Sequence, residues 1–150
     1  MNAIDLLIED HEKVSALFDE VKATEDEEKH KQLFEQISVE LKTHTHIEEA
    51  IFYPALKNYE ELKDMVLEAF EEHKQVKTLI REIENLSDGS ERLDAKLKVM
   101  GENVEHHVEE EETEMFPKVE QLLSGAELED LGEQMEAEKK SFQKNLKAAA

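Results

Sequence analysis

The stretch His44-Thr45-His46-Ile47-Glu48-Glu49-Ala50-Ile51-Phe52-Tyr53-Pro54 occurs in this chain in two related copies. The second copy is His107-Val108-Glu109-Glu110-Glu111-Glu112-Thr113-Glu114-Met115-Phe116-Pro117. In each copy a His is followed four residues later by Glu and ten residues later by Pro, with an aromatic residue directly before the proline. Residues four apart lie on one face of an α-helix, so each copy directs an imidazole and a carboxylate to the same side. Two such pairs facing each other across a helical bundle would form a set of nitrogen and oxygen ligands for metal.

The composition is that of an acidic, helix-forming chain. Its 150 residues carry a formal net charge of −21 and include no Cys, four Gly and two Pro. This length suffices for one domain with a single core. The few Gly and Pro, with abundant Glu, Lys, Leu and Ala, predict an all-α protein. Nucleic acid and membrane are excluded as partners, because phosphate surfaces require a basic footprint. No apolar run reaches the length of a membrane span and the N-terminus has no basic leader, so we expect a cytoplasmic protein.

Apolar residues at steps of three and four predict five helices. The first covers residues 3–22, with Asn2 as its N-cap. Residues 24–27 have the form of a capping box and predict the start of the second helix. Pro54 cannot donate its amide, so the second helix should kink or end there.

The remaining helices are separated by clear turn sequences. Residues 58–61 predict the cap of the third helix, and residues 87–90 (Ser-Asp-Gly-Ser) predict a turn before the fourth. Asp88 with Glu91 is expected to cap the fourth helix. Residues 124–127 end the fourth helix and start the fifth.

The first four helices form two equivalent halves. His11 lies 33 residues before His44, and His73 lies 34 residues before His107. Each half is therefore an αα-hairpin with one His on its first helix and a His-x-x-x-Glu on its second. We predict an all-α, up-down-up-down four-helix bundle over residues 1–124. Residues 125–150 add a C-terminal packing helix and a frayed tail to the same domain.

The apolar residues of each helix form a stripe along one face, and a few polar side chains lie on these stripes. Six of them converge if the bundle forms: His11, His44, Glu48, His73, His107 and Glu111. Burying two carboxylates and four imidazoles without compensation would cost several kcal/mol per charged group, so we predict that they hold metal. Nitrogen and oxygen donors without thiolate suit Fe, Mn, Zn or Co. Six ligands divide most simply between two metals, each with two His and both carboxylates bridging. A di-iron centre with an oxo or hydroxo bridge fits best, with Mn or Zn as substitutes.

Other polar residues are not expected to be metal ligands, because they lie outside the helical faces that carry the six. His46 and His106 lie off the ligand stripes and are expected to be solvated, and His30 lies near the start of the second helix. The hydroxyls of Tyr53 and Tyr59 have hydrogen-bonding capacity near the site, but neither residue lies on a stripe. None of these five is predicted to bind metal.

The doubled His-x-x-x-Glu, each six residues before a Pro, with one His on each preceding helix, resembles the hemerythrin-like domains with the His-His-Glu pattern. The resemblance covers about residues 3–123. It implies a non-haem di-iron centre in a four-helix bundle. By matching position it makes the six residues above the ligands, with Glu48 and Glu111 as bridges.

The chain departs from the oxygen-carrying members at one ligand. Those members have a second His four residues after the one on the third helix, where this chain has Lys77. They also have a bridging Asp five residues after the fourth-helix His; here Glu111 stands at four and Glu112 at five. Loss of one imidazole should leave coordination positions open on both irons.

Three functions remain open from the sequence. The first is a carrier or sensor that binds oxygen or nitric oxide at open iron positions. The second is an enzyme that reduces peroxide or nitric oxide, and the third is an iron donor or store for the repair of iron centres. The sequence leaves undecided whether the chain is an enzyme, and it indicates no protein partner.

Overall fold

The computed structural model describes residues 1–149 and is helical apart from short connections. Its α-helices are α1 (Ala3–Ala23), α2 (Glu27–Ile47), α3 (Tyr53–Leu56), α4 (Lys63–Glu84), α5 (Arg92–Glu110), α6 (Phe116–Leu122) and α7 (Gly125–Ala149). The π-helical turns Glu48–Phe52 and Glu111–Met115 join α2 to α3 and α5 to α6, and a 3-10 turn, Glu60–Leu62, precedes α4. The five predicted helices are therefore α1, α2 with α3, α4, α5 with α6, and α7.

Two apolar clusters fill the bundle, one towards each end. The first contains the start of α1, the end of α2 with α3, the start of α4, and α6, including Leu7, Phe52, Leu62 and Phe116. The second contains the opposite ends of the same helices, including Leu17, Ile37, Ile80 and Leu97. The helices thus run between the clusters in alternating directions, which is an up-down-up-down bundle. The predicted all-α four-helix bundle with a C-terminal fifth helix is confirmed.

Helix α7 packs along the outside of α1 and α2. Its residues Leu128 and Met135 are buried in the first apolar cluster. The helix continues through Ala149, so residues 148 and 149 are helical where fraying was predicted, and Ala150 lies outside the described residues. Within residues 1–149, no helix combines the length and the apolar character that crossing a membrane requires.

The predicted N-cap of α1 and the predicted start of α7 within residues 124–127 are confirmed. The side-chain oxygen of Asn2 accepts a 2.9 Å hydrogen bond from the backbone N–H of Asp5. Ser124 and Glu127 form a reciprocal capping box, in which each side chain accepts from the other residue's backbone N–H, at 3.1 and 3.0 Å.

The predicted caps of α2 and α5 are wrong in detail. Helix α2 is capped by Asp26, whose carboxylate accepts from the backbone N–H of Glu28 at 3.2 Å, because an aspartate at this position reaches the first free N–H groups directly. Before α5, the Ser90 hydroxyl accepts from the N–H of Arg92, whereas Asp88 forms an ion pair with Lys31 instead of capping the helix. Glu91 stands at the N-cap position, but its side chain makes no capping hydrogen bond.

A π-helical turn precedes each of the two prolines. The N–H of Tyr53 donates to the carbonyl of Glu48 five residues earlier, and Phe116 repeats this contact with Glu111. Pro54 has no N–H and its ring crowds the carbonyl four residues back, a clash that the wider π turn relieves. The chain therefore continues as α3, without the termination at Pro54 that the sequence allowed.

Candidate metal centre

A layer of buried polar side chains lies between the two apolar clusters. It contains all six predicted ligands, each less than a tenth exposed: His11, His44, Glu48, His73, His107 and Glu111. Helices α1 and α4 each contribute one His, whereas α2 and α5 each contribute a His and the Glu that begins the following π turn. The bundle thus brings together side chains as distant in sequence as His11 and Glu111, which are 100 residues apart. Their role as metal ligands stays a prediction.

The ε nitrogens of the imidazoles meet the two buried carboxylates. Nε2 of His11 lies 3.1 Å from Oε1 of Glu111. Nε2 of His44 and Nε2 of His73 lie 3.2 and 3.0 Å from the same oxygen, Oε1 of Glu48. Donor atoms that share one ion at bond lengths near 2.0–2.2 Å are about 3 Å apart, so these separations suit a common cation.

The donor atoms form two groups, within each of which all atoms lie within 4.8 Å of one another. The first, which we call position A, comprises His11, His44, Glu48 and Glu111; the second, position B, comprises Glu48, His73 and His107. Glu48 belongs to both groups. Glu111 also reaches towards position B, because its Oε2 lies 3.5 Å from Nε2 of His107. The arrangement is that of two adjacent cation positions with shared carboxylates.

A second carboxylate holds each imidazole at its other nitrogen. The pairs between Nδ1 and a carboxylate oxygen are His11–Glu112 (2.7 Å), His44–Asp10 (3.1 Å), His73–Glu49 (2.7 Å) and His107–Glu72 (2.7 Å). Two of these acids directly precede a ligand His on α1 or α4, and two directly follow a ligand Glu. Such pairs orient the ring and leave Nε2 available for a metal. The sequence analysis did not predict that these acids orient the imidazoles. The signal for it was an acidic residue directly beside a predicted ligand in each of the four predicted bundle helices.

Lys77 stands where the oxygen carriers have an additional His. Its Nζ donates to both oxygens of the Glu49 carboxylate, at 2.9 and 2.8 Å. Glu49 in turn holds Nδ1 of His73. Lys77 therefore does not provide a ligand but pairs with Glu49, the acid that orients the predicted ligand His73.

Three buried polar atoms of this layer have no hydrogen-bond partner. They are Nε2 of His44 and both carboxylate oxygens of Glu48, a residue that is 0% exposed. Nε2 of His44 is near Glu48, but without the alignment of a hydrogen bond. Burying a carboxylate unpaired costs several kcal/mol, whereas a bound cation would satisfy all three atoms. The residues therefore fit a metal ion.

The acidic layer keeps protons on imidazoles that burial alone would leave neutral. For His44, the charge of Glu48 and the hydrogen bond to Asp10 outweigh desolvation and raise its pKa to about 10. For His107, desolvation is likewise outweighed by the charge of Glu111 and by Glu48, and its pKa rises to about 11. Protons thus compensate the carboxylates when metal is absent, and a binding cation would displace them.

The pKa values of the two buried carboxylates are shifted in opposite directions. Burial and the neighbouring negative charge of Glu48 raise the pKa of Glu111. Glu48 is also buried, but the positive charge of His44 and its polar neighbours Glu111 and His107 hold its pKa well below the usual range. Repulsion between the carboxylates is what a shared cation would remove.

Tyr53, whose hydroxyl was expected only to have hydrogen-bonding capacity near the site, contacts it directly. Its buried hydroxyl donates a 2.6 Å hydrogen bond to Oε2 of Glu111 and lies 3.4 Å from Nε2 of His73. Burial and the charges of Glu111 and Glu48 raise the pKa of Tyr53 well above its usual value, so the hydroxyl stays protonated. The stripe analysis used the α-helical period, and the π turn shifts Tyr53 inward. A Pro directly after an aromatic residue was the available signal.

The two off-register histidines differ from each other. His106 is solvated as predicted, with its side chain 65% exposed. The same prediction for His46 is wrong: its ring stacks on Phe142 with centroids 4.2 Å apart, and its Nε2 lies 2.8 Å from Glu138. Both contacts come from α7, whose position the helical stripes of the bundle did not define.

His30 is buried, but it serves the end of α1. Its Nε2 lies 2.9 Å from the carbonyl oxygen of Val21 and 2.7 Å from that of Thr24. Its Nδ1 lies 2.7 Å from the carboxylate of Asp94. Acceptors at both nitrogens require the doubly protonated ring, which provides the cation that a helix C-terminus favours.

A helical bundle with a central layer of His and Glu matches a known family. The model of the hemerythrin HHE cation-binding domain covers residues 2–119 of this chain. The chain belongs to that family, as the doubled motif indicated. It is a metal-binding, hemerythrin-like protein, and its buried His and Glu side chains form a cluster that could hold the metal.

Similar proteins include one solved structure and several curated sequences. The crystal structure of a hemerythrin HHE cation-binding domain-containing protein from Mycobacterium kansasii, a homolog of Rv2633c, superposes with a TM-score of 0.82 at 28% identity, covering 97% of this chain and 89% of that one. A DNA nickase of Nostoc sp. is 28% identical over 97% of this chain, which spans 41% of its length. A hemerythrin-like protein of Schizosaccharomyces pombe is 27% identical over 91% of this chain and 68% of its own length.

Proposed function

We propose that the protein holds a non-haem di-iron centre that binds oxygen or nitric oxide at open iron positions, as a carrier or sensor. The observation that carries the proposal is the sharing of Glu48 between two groups of donor atoms, positions A and B. Glu111 extends towards both groups. With two bridging carboxylates and two His each, two irons would receive four protein donors apiece. An octahedral ion would then keep positions for a small ligand.

The donor chemistry favours iron. The described layer offers imidazole nitrogens and carboxylate oxygens, and the sequence contains no Cys. This set suits non-haem iron, with an oxo or hydroxo bridge between the two ions, and Mn or Zn as substitutes. When bound, the iron would supply the redox chemistry of the centre, and the protein's residues would hold and orient it.

An apolar cavity beside the imidazoles supports a small uncharged ligand. It has a volume of about 20 Å³ and adjoins all four predicted ligand histidines. Its remaining wall consists of Val14, Leu41, Val76, Val104 and Val108 together with Asp10, Thr45 and Glu72, and the surface exposed to the cavity is apolar. A space of about 10–15 Å³ is enough for one water-sized molecule. A cavity of this size and lining suits a diatomic molecule better than a hydrated anion.

Metal content and visible spectra test the proposal. Protein produced in iron-supplemented medium should contain two irons per chain, and its spectrum should change reversibly on exposure to air or nitric oxide. Glu48→Ala and Glu111→Ala should each lose at least one iron. Glu109→Ala is the matched control, because Glu109 is an exposed glutamate of the same helix as His107.

Two different results would contradict two different parts of the proposal. Wild-type protein without iron would refute the di-iron proposal as a whole. Two irons retained in both Glu48→Ala and Glu111→Ala would refute the bridging role and leave the metal itself in place.

A specific contact favours a second candidate, an enzyme that reduces peroxide or nitric oxide. Such a reaction consumes protons, and the Tyr53 hydroxyl is a buried donor between Glu111 and His73. In this case iron-loaded protein should turn over hydrogen peroxide, and spectra would show repeated oxidation in place of a stable ligand band. Replacement of Tyr53 by Phe should then slow turnover without loss of iron.

A cleft between α4 and α5 favours a third candidate, an iron donor or store. It is lined by the carboxylates of Glu68, Glu72, Glu110 and Glu114 and reaches Glu111 and His107 of the buried layer. Carboxylates along an opening concentrate cations and can lead them to a buried site. Rapid transfer of iron to a chelator with the fold retained would support this candidate, whereas slow transfer supports the carrier or sensor.

The proposal includes no nucleic-acid partner and no membrane partner. The formal net charge of −21 opposes contact with phosphate backbones and anionic lipid surfaces. The name of the Nostoc relative describes a protein of which this chain spans 41%. DNA nicking is therefore outside the proposed function.

A further inference from the structure

We propose that Lys139 of α7 is a positioning residue for metal position A, and that the fifth helix thereby controls retention of the ion at that position. The inference rests on the proposed metal centre. Nζ of Lys139 donates to Oδ1 of Asp10, and Oδ2 of Asp10 lies 3.1 Å from Nδ1 of His44. A charge on the fifth helix is thus linked through one carboxylate to a predicted ligand.

The acid in this chain of contacts is more buried than its three counterparts. The side chain of Asp10 is 5% exposed. Those of Glu112, Glu49 and Glu72 are 36%, 24% and 18% exposed. Water can complete the hydrogen bonds of these three partly buried acids, whereas Asp10 depends on protein groups for both of its oxygens. Nζ of Lys139 donates to Oδ1, and Oδ2 accepts from Nδ1 of His44.

Helix α7 also holds the same end of α2 at a second point. Glu138, the neighbour of Lys139, contacts Nε2 of His46 at 2.8 Å, and Phe142 stacks on the ring of His46. His46 is two residues from His44. The fifth helix therefore positions the backbone that carries His44 as well as the acid that orients its ring.

Position B is supported differently. The acid behind His73 is Glu49, and its cation is Lys77 of α4, which belongs to the bundle itself. Lys77 is 46% exposed, so water also reaches that pair. The two positions are therefore inequivalent, and only position A depends on the fifth helix through a buried charge.

The rate of iron release tests this difference. The full-length protein, loaded anaerobically with Fe(II), is mixed with a chromogenic Fe(II) chelator, and release of each iron is followed with time. Lys139→Met should accelerate release of one iron of the two by on the order of tenfold, the effect typical of removing a group that orients a ligand. Lys139→Arg should restore the wild-type rate. Lys140→Met, an exposed lysine beside it, should leave both rates unchanged.

The direction of the change separates positioning from charge. Removing a cation near a bound dication lowers the repulsion between them, so charge alone predicts slower release for Lys139→Met. Asp10→Asn tests the same chain of contacts at its other member and should also accelerate release of a single iron. Circular dichroism of the metal-free variants verifies that their helices remain.

Unchanged release in either Lys139→Met or Asp10→Asn, slower release in Lys139→Met, or equal acceleration of both irons would overturn the inference. Each of these results requires a wild-type protein that binds two irons. Wild-type protein without iron would instead refute the proposed function, so the two failures are distinguishable.

Discussion

The hydroxyl of Tyr53 donates a 2.6 Å hydrogen bond to Oε2 of Glu111, which belongs to the other αα-hairpin. At the equivalent position of the second copy stands Phe116, whose ring lies parallel to that of His11 with centroids 5.9 Å apart. At this pair of equivalent positions, the duplicated halves of the centre therefore differ by one buried hydroxyl. Phe116 has no polar atom with which to make the corresponding hydrogen bond.

Tyr53→Phe should destabilise the metal-free protein, because the buried carboxylate of Glu111 loses the hydroxyl that donates a hydrogen bond to it. We expect the free energy of unfolding to fall by about 1–3 kcal/mol, the cost of leaving a buried polar group without its partner. Urea unfolding followed by circular dichroism measures it. Tyr59→Phe is the control, since Tyr59 lies outside the polar layer. Equal stability of Tyr53→Phe and wild type would contradict the importance of this hydrogen bond.

His30 should make stability depend on pH. Desolvation opposes its charge, but hydrogen bonds to Asp94 and to the carbonyls of Thr24 and Val21 outweigh it and raise its pKa above 6.5. Because the folded pKa is higher than the unfolded one, the stabilisation is complete below pH 6.5 and is lost as pH rises through the folded value.

His30→Gln keeps the size and one donor but removes the charge. We expect it to lower the free energy of unfolding by about 1–3 kcal/mol at pH 6, with the difference from wild type shrinking towards pH 9. Urea unfolding of metal-free protein across this range measures the difference. A difference that stayed constant with pH would show that His30 is neutral in the folded protein.

Gly132→Ala should destabilise the protein although alanine favours helices. A Cβ at Gly132 would lie 2.1 Å from the carbonyl oxygen of Met1 and 2.9 Å from the N of Ala3, so backbone must move. Displacing this segment disturbs the Asn2 cap of α1, and we expect a net loss of about 1–3 kcal/mol. Thermal unfolding measures it. Gly125→Ala, at a helical position with open space, should be neutral or slightly stabilising.

His46→Ala and His106→Ala should leave the metal content unchanged, because neither residue belongs to position A or B. They should differ in stability. His46 loses its stacking on Phe142 and its contact with Glu138, at a cost of about 1 kcal/mol, whereas solvated His106 should lose little. Metal analysis and thermal unfolding test both statements. Loss of metal in either variant would mean that the ligand register is wrong.

Much of the fold was predictable because its helices obey a local rule. The stripes of α1, α2, α4 and α5 repeat at the α-helical period, and each contains one His, so the polar layer followed from alignment of the stripes. The π turns could not be predicted from that period, and they account for the miss at Tyr53. The caps of α2 and α5 were misplaced because several adjacent residues had the chemistry to cap, and their final contacts depended on neighbouring helices.

By itself the sequence determined the class of fold, the duplication and the six residues of the polar layer, since periodic burial and spacing are local properties. Only the tertiary structure decided which acid holds which imidazole, that Lys77 pairs with Glu49, and that Lys139 of the fifth helix reaches Asp10. The physical reason is that a buried charge takes its partner from whichever helix packs against it. That choice is made by side chains as much as 129 residues apart in the chain.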